Sequence, residues 1–216
     1  LMGPDTTVVT LQNGMGNAEE IARIIPADRI YVGLCFICAM REKPGHVNHL
    51  EGGNIQFAPF IPTPEGTEKA RELSELFANA GIKTRAFDAA EQIQWYKLVW
   101  NIPFNGLCLA LGGISIAELY QNPENVMRAR RIMEEVVQAA KARGYALPED
   151  LVEFHLSRTE TMGAFIPSSA VDYNEGRPVE YTAIWGDPLS KARQAGASVP
   201  EWELLDKAIR KRLNIN

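Results

Sequence analysis

The rhythm of polar and apolar positions changes near residue 88. Before it, short β-branched and apolar runs alternate with helical spacing. Thr7–Gln12 reads as a strand, Ala18–Ile25 as a helix and Ile30–Met40 as a long buried strand. Shorter strand-like pieces follow around His46–Leu50 and Asn54–Phe60. "TPEGTEKARELSELFANAG" then places Ala70, Leu73, Leu76 and Phe77 on one helix face, with Gly81 just past its end, and "IKTRAF" reads as a returning strand. Strands alternating with helices are the grammar of an α/β fold.

From Ala89 the strand signal stops. Ala89–Leu111, Asn125–Arg143 and Glu149–Glu160 read as helices, and Pro200–Leu213 closes the chain as another. "GRPVEYTAIWGDPLSKARQAG" carries a further helix, expected to be interrupted near Gly186-Asp187-Pro188. Gly144 and Gly196 stand where helix C-caps belong. The expected organisation is therefore an α/β segment over 1–88 and an all-helical segment over 89–216.

The turn after the first strand, "LQNGMGN", tests a dinucleotide-binding reading. That fingerprint needs three glycines, for close backbone approach to a pyrophosphate and for tight helix packing. Counted from Gly14 and Gly16, the third position is Glu19, with Glu20 beside it. Carboxylates there oppose a phosphate and suit the first turn of an ordinary helix. The turn is of another kind.

Composition narrows the classes. The 216 residues are 46% hydrophobic and 23% charged, ordinary for a globular protein. A formal net charge of −5 without a basic cluster argues against a nucleic-acid partner. No apolar run approaches a membrane span, and no signal peptide is evident, so neither a membrane nor secretion is expected. Cys35, Cys38 and Cys108 are too few for a disulfide framework and favour a cytoplasmic setting. Cys35-Phe-Ile-Cys38 has a metal-like spacing. In a strand, however, residues three apart face opposite ways, so buried structural thiols and no metal site are expected. "LMGPDTTVV" enters a strand almost at once, in the manner of the middle of a protein.

Two stretches could carry chemistry. In "QWYKLVWNIPFNGLCLAL", Lys97, Asn101 and Asn105 fall four residues apart and share a helix face among apolar neighbours. Such a stripe is either the wet side of an amphipathic helix or a buried set lining a cavity. Pro103 between the amides removes a backbone bond and should kink the helix. In "PSSAVDYNEGRPVEYTAI", Ser168, Ser169, Asp172 and Glu180 surround a Gly-Arg-Pro turn. There Pro178 suits a first helical turn and Glu180 could simply serve the helix dipole.

Taken in order, "LQNGMGN", "WYKLVWNIPFNGLCLAL" and "SSAVDYNEGRPVEY…GDPLSKARQAGASVP" resemble the 2-dehydropantoate 2-reductases, or ketopantoate reductases. The resemblance runs over nearly the whole chain. It implies the C-terminal portion of a Rossmann-type NADP-binding domain, followed by an all-helical domain like the C-terminal one of 6-phosphogluconate dehydrogenase. The active site would lie between the two. The first strands and the glycine-rich fingerprint would then lie upstream of this chain.

On that resemblance the activity is NADPH-dependent reduction of ketopantoate, or a related 2-oxo acid, in pantothenate biosynthesis. Lys97 would be the general acid. Asn101 and Asn105 would orient the substrate or the lysine ammonium, Ser169 would bind the substrate carboxylate and Glu180 its hydroxyl. Asn13 and Gly14 would meet the cofactor near its nicotinamide end. A homodimer through the helical domain is a further expectation. The run "EYTAIWGDP" departs from the family, because Thr182 stands where an acidic residue is common and Trp185 where the family has asparagine. Trp185 either packs or reshapes the substrate pocket. A related β-hydroxyacid or opine-type dehydrogenase is disfavoured by "GRPVE". A non-catalytic helical interaction module remains the competing class.

Overall fold

The computed structural model describes residues 2, 3 and 5–215, with the backbone alone at Met40, Leu50 and Glu51. Leu1 and Pro4 of the opening "LMGPDTTVV" therefore lie outside the described residues. The chain divides into two compact units, Leu1–Gln94 and Trp95–Asn216.

The first unit is built on four strands, β1 (Val8–Thr10), β2 (Ile30–Lys43), β3 (His46–Pro59) and β4 (Lys83–Ala86), lying side by side in that order. β1 runs parallel to β2, and β3 to β4; these crossovers use helices α1 (Asn17–Ile21) and α2 (Pro64–Asn79). β2 and β3 form an antiparallel hairpin that turns at Pro44-Gly45. Along β2, Ile30, Val32 and Leu34 pack with Ala18, Ala58, Ala90 and Ile93 on one face. Tyr31 meets Phe57 and Ala70 on the other. Burial on both faces explains why this strand reads as a continuous apolar run rather than as an alternating one.

Three expectations for this unit are corrected. The pieces at His46–Leu50 and Asn54–Phe60 are one strand, and β2 continues past Met40 to Lys43. Gly52-Gly53 broke the pattern because the hairpin bulges there: register shifts fall between Phe36 and Ile37 and between Cys38 and Ala39. Gly52 has φ 80°, and a Cβ on it would sit 2.4 Å from the Phe36 carbonyl oxygen. α1 stops at Ile21, not Ile25, because Arg23 and Ile24 donate to carbonyls three residues back and Pro26 follows. Finally, Cys35 and Cys38 are half-buried rather than core, and only Cys108 is buried. β1 reaches only to Val32 and β4 pairs only with Asn54–Phe57, so among the described residues the far part of the hairpin has no third strand.

Helix α3 (Ala90–Ala110) starts in the first unit and opens the second. The rest is α4 (Ile116–Tyr120), α5 (Pro123–Ala142), α6 (Leu151–Glu160), α7 (Ser168–Asn174), α8 (Asp187–Gln194) and α9 (Pro200–Leu213). α4 and α7 escaped the pattern because five and seven residues are too few to show a period. α4 is nevertheless signed locally by a capping box between Ser115 and Glu118. α9 has no such signature: Val199 offers no side-chain cap, and the N–H groups of Glu201 and Trp202 donate to the carboxylate of Glu135 on α5, at 2.9 and 2.8 Å. No helix among the described residues is long and apolar enough to cross a membrane.

The expected interruption near Gly186-Asp187-Pro188 is also corrected. Thr182–Gly186 is a π-helical turn that feeds directly into α8. Pro188 lies near the start of α8, and the wider turn before it accommodates a residue with no N–H.

His155 on α6 is buried beside Tyr96, with ring centroids 6.0 Å apart, and its Nε2 has no hydrogen-bond partner. Burial pushes its imidazole down from 6.5 to about 4; the nearby Arg158 guanidinium acts in the same direction, and a hydrogen bond to the Tyr96 backbone opposes it. Below pH 6.5 the unfolded chain binds a proton that the fold excludes, so stability is complete above that value and falls as pH drops toward about 4. This group alone should remove about 3 kcal/mol over that window. In His155→Phe the pH dependence of the thermal midpoint should be visibly flatter than in the unmodified chain. Parallel curves would refute the assignment.

Candidate functional site

α3 carries its polar residues inward. Asn101 is 6% exposed and Asn105 2%, Lys97 is half-buried, and Leu98, Val99, Ile102, Phe104 and Leu107 around them are buried. The stripe is therefore not the wet side of an amphipathic helix. The helix runs unbroken through Pro103.

The amides need partners, and one is seen directly. Asn105 Oδ1 accepts the backbone N–H of Ser169 at 3.0 Å and the Ser168 hydroxyl at 3.4 Å. This anchors the first turn of α7 to α3. Both serines are helical; Ser168 is exposed and Ser169 is 2% exposed. Lys97 and Asn101 lie two turns and one turn earlier on the same face of α3.

Glu180 lies between α7 and the helical segment that opens at Tyr181. It is exposed and precedes the helix instead of lying in its first turn, because the chain from Arg177 to Glu180 is not helical. The Tyr181 N–H donates to the Val179 carbonyl at 2.7 Å, which puts Glu180 at the apex of a tight turn. Tyr181 stacks on Trp185, with centroids 6.3 Å apart, and the Trp185 indole N–H donates to the Ile102 carbonyl on α3 at 3.0 Å. Trp185 is fully buried, so it packs and does not shape a pocket wall. Gly106 makes room for it: a Cβ there would lie 2.9 Å from the indole nitrogen and 2.7 Å from Leu205.

The remaining expected residues, Asn13 and Gly14, belong to the first unit. Gly14 (φ 80°) and Gly16 (φ 89°) both take the left-handed conformation in the turn between β1 and α1. The turn is held by side-chain amides: Asn17 Nδ2 donates to the Asn13 carbonyl at 2.9 Å, and Gln94 Nε2 to the Gly14 carbonyl at 3.0 Å. Gly14 is buried in this turn and Gly16 half-buried. A pyrophosphate does not fit, since Glu19 and Glu20 occupy the first turn of a five-residue helix. Among the described residues, no group of three His, Cys, Asp or Glu gathers where it could hold a metal ion.

Sequence reasoning missed Gln94, Tyr181 and Asp206. Gln94 is a buried amide three residues before Lys97, the same anomaly that drew attention to Asn101. Tyr181 and Asp206 carry no local signal, because their bond spans two helices far apart in the sequence.

Comparison with known proteins fits this arrangement. Residues 89–212 match the family model "Ketopantoate reductase PanE/ApbA C terminal", and residues 1–62 match "Ketopantoate reductase PanE/ApbA". The chain belongs to the ketopantoate reductase family. It is 36% identical over 200 residues to a 2-dehydropantoate 2-reductase of Nostoc sp., covering 91% of this chain and 62% of that protein's length. The crystal structure of the 2-dehydropantoate 2-reductase of Geobacter metallireducens superposes with a TM-score of 0.91 at 37% identity, over 98% of this chain and 70% of that one. A D-mandelate dehydrogenase in complex with NADH superposes with a TM-score of 0.85 at 25% identity, over 100% and 73% of the two chains. The fold is thus that of the family: a Rossmann-type portion followed by a helical domain.

If Gly106 is what admits Trp185, Gly106→Ala should destabilise the protein by about 1–3 kcal/mol, the usual range for overpacking. Denaturant unfolding followed by tryptophan fluorescence would measure it. A midpoint that does not move would show that the indole has room elsewhere.

Proposed function

We propose that the protein carrying this chain is a nicotinamide-dependent reductase that converts a 2-oxo acid, with ketopantoate as first candidate, to the 2-hydroxy acid. The observation that carries the reading is the bond from Ser169 to Asn105, which draws the start of α7 onto the face of α3 that bears Lys97 and Asn101. Two likenesses support it: to named 2-dehydropantoate 2-reductases, and to a dehydrogenase of a 2-hydroxy acid bound to NADH.

The roles follow from the chemistry. When bound, the nicotinamide supplies the hydride for the ketone carbon; Asn13 and Gly14 would hold that end of it. Lys97 donates the proton to the carbonyl oxygen and stabilises the charge that develops there. Asn101 orients the substrate. Asn105 contributes through its amide nitrogen, since its oxygen already caps α7. Glu180, exposed at the apex of its turn, accepts from the substrate hydroxyl. Ser169 is the carboxylate ligand of this reading; at 2% exposure it has the least room to reach one. NADPH is the preferred cofactor of the proposal, and a cytoplasmic homodimer its expected form.

The test is oxidation of NADPH and NADH, followed by absorbance, with ketopantoate beside other 2-oxo acids, in the protein that carries this chain. Lys97→Ala should lower turnover by roughly two to four decades, the range of a general acid. An unchanged rate would remove Lys97 from the mechanism. No oxidation with any acid would favour a helical interaction module.

A further inference from the structure

The turn that bears Glu180 is fastened to the last helix by a bond no role above requires. The Tyr181 hydroxyl donates to Asp206 Oδ1 on α9 at 2.6 Å and accepts from Arg210 at 3.2 Å. The Arg210 guanidinium lies 5.8 Å from the Tyr181 ring centroid, and Asp206 is 8% exposed. On its other side the same ring rests on Trp185, which is bonded to α3. Tyr181 is thus clamped between α9 and α3, and it is the residue directly after Glu180.

The backbone adds to this. The Glu180 carbonyl accepts from Ile184 at 3.1 Å, and the Tyr181 N–H closes the turn on Val179. Glu180 therefore has a fixed peptide on its C-terminal side and a Gly176-Arg177-Pro178 loop on its N-terminal side. The clamp on Tyr181 therefore holds the backbone from which the Glu180 side chain departs.

We infer that Tyr181 and Asp206 form a latch that positions Glu180 for the substrate, so that α9 controls substrate affinity from outside the site. Tyr181 is a positioning residue in this account and touches no reactant. The inference rests on the reading of Glu180 as a substrate ligand.

The test is a double-mutant cycle in the protein that carries this chain, using the best 2-oxo acid substrate. Tyr181→Phe keeps the ring on Trp185 and removes the hydroxyl's bonds to Asp206 and Arg210. It should raise KM roughly tenfold and leave kcat within about threefold. Asp206→Asn, which keeps a weaker acceptor, should fall between the two. In a Glu180→Ala background, Tyr181→Phe should change KM by less than about twofold, because the latch then has nothing left to position. A loss that merely reflects loosened packing would persist in both backgrounds and would overturn the inference, as would an unchanged KM in Tyr181→Phe. If Tyr181→Phe fails to fold, Asp206→Asn carries the same cycle. If the unmodified protein reduces no 2-oxo acid, the functional reading fails, and the latch with it; that result is distinct because it precedes any substitution.

Discussion

A helix buried on every side must satisfy each polar group it carries, and α3 is such a helix. From Leu98 to Leu109 every residue but Trp100 is buried, yet the segment includes two asparagines, a proline and a glycine. Unpaired, each buried polar group costs about 1–3 kcal/mol. The surrounding elements supply several partners. α7 meets Asn105, Trp185 meets the Ile102 carbonyl, and Thr159 on α6 takes the Trp100 indole N–H at 2.8 Å. Arg212 on α9 closes the series on the Ala110 carbonyl at 2.9 Å. The helical unit is organised as a set of hydrogen bonds to one rod, with apolar packing filling the space between.

This arrangement relates stability to the proposed chemistry. A bond that satisfies α3 also decides which side chain stands beside it, so Ser169 arrives with the cap on α7 and Trp185 with its bond to the Ile102 carbonyl. The position of Ser169 is a consequence of polar satisfaction, not an addition to a finished core. Gly106 belongs to the same logic, because Trp185 and Leu205 approach α3 where no side chain stands.

Much of this was legible beforehand. Long helices announced themselves through period and caps, and the polar stripe of α3 was visible because amides are rare among buried leucines. The candidate residues followed partly from that anomaly and partly from the family resemblance. What stayed hidden had physical causes. Helices of five or seven residues have no period to read. A bulged strand looks like two strands when glycines fall at the bulge. The π turn before Pro188 looked like a break, because a proline reports that an α-helix cannot continue, not that a wider one can. Bonds such as Tyr181 to Asp206 depend on tertiary proximity, which no local pattern encodes.

The cap on α9 has a consequence for how the chain acquires its structure. The two N–H groups at its start are received by Glu135, 66 and 67 positions earlier, and its own N-cap residue contributes none. A helix that borrows its nucleus cannot nucleate early, because the first turn is the costly one. α9 should therefore gain helicity only as it docks on α5, late in folding and together with the burial of Trp202. The last segment of the chain is a reporter of assembly, not a seed for it.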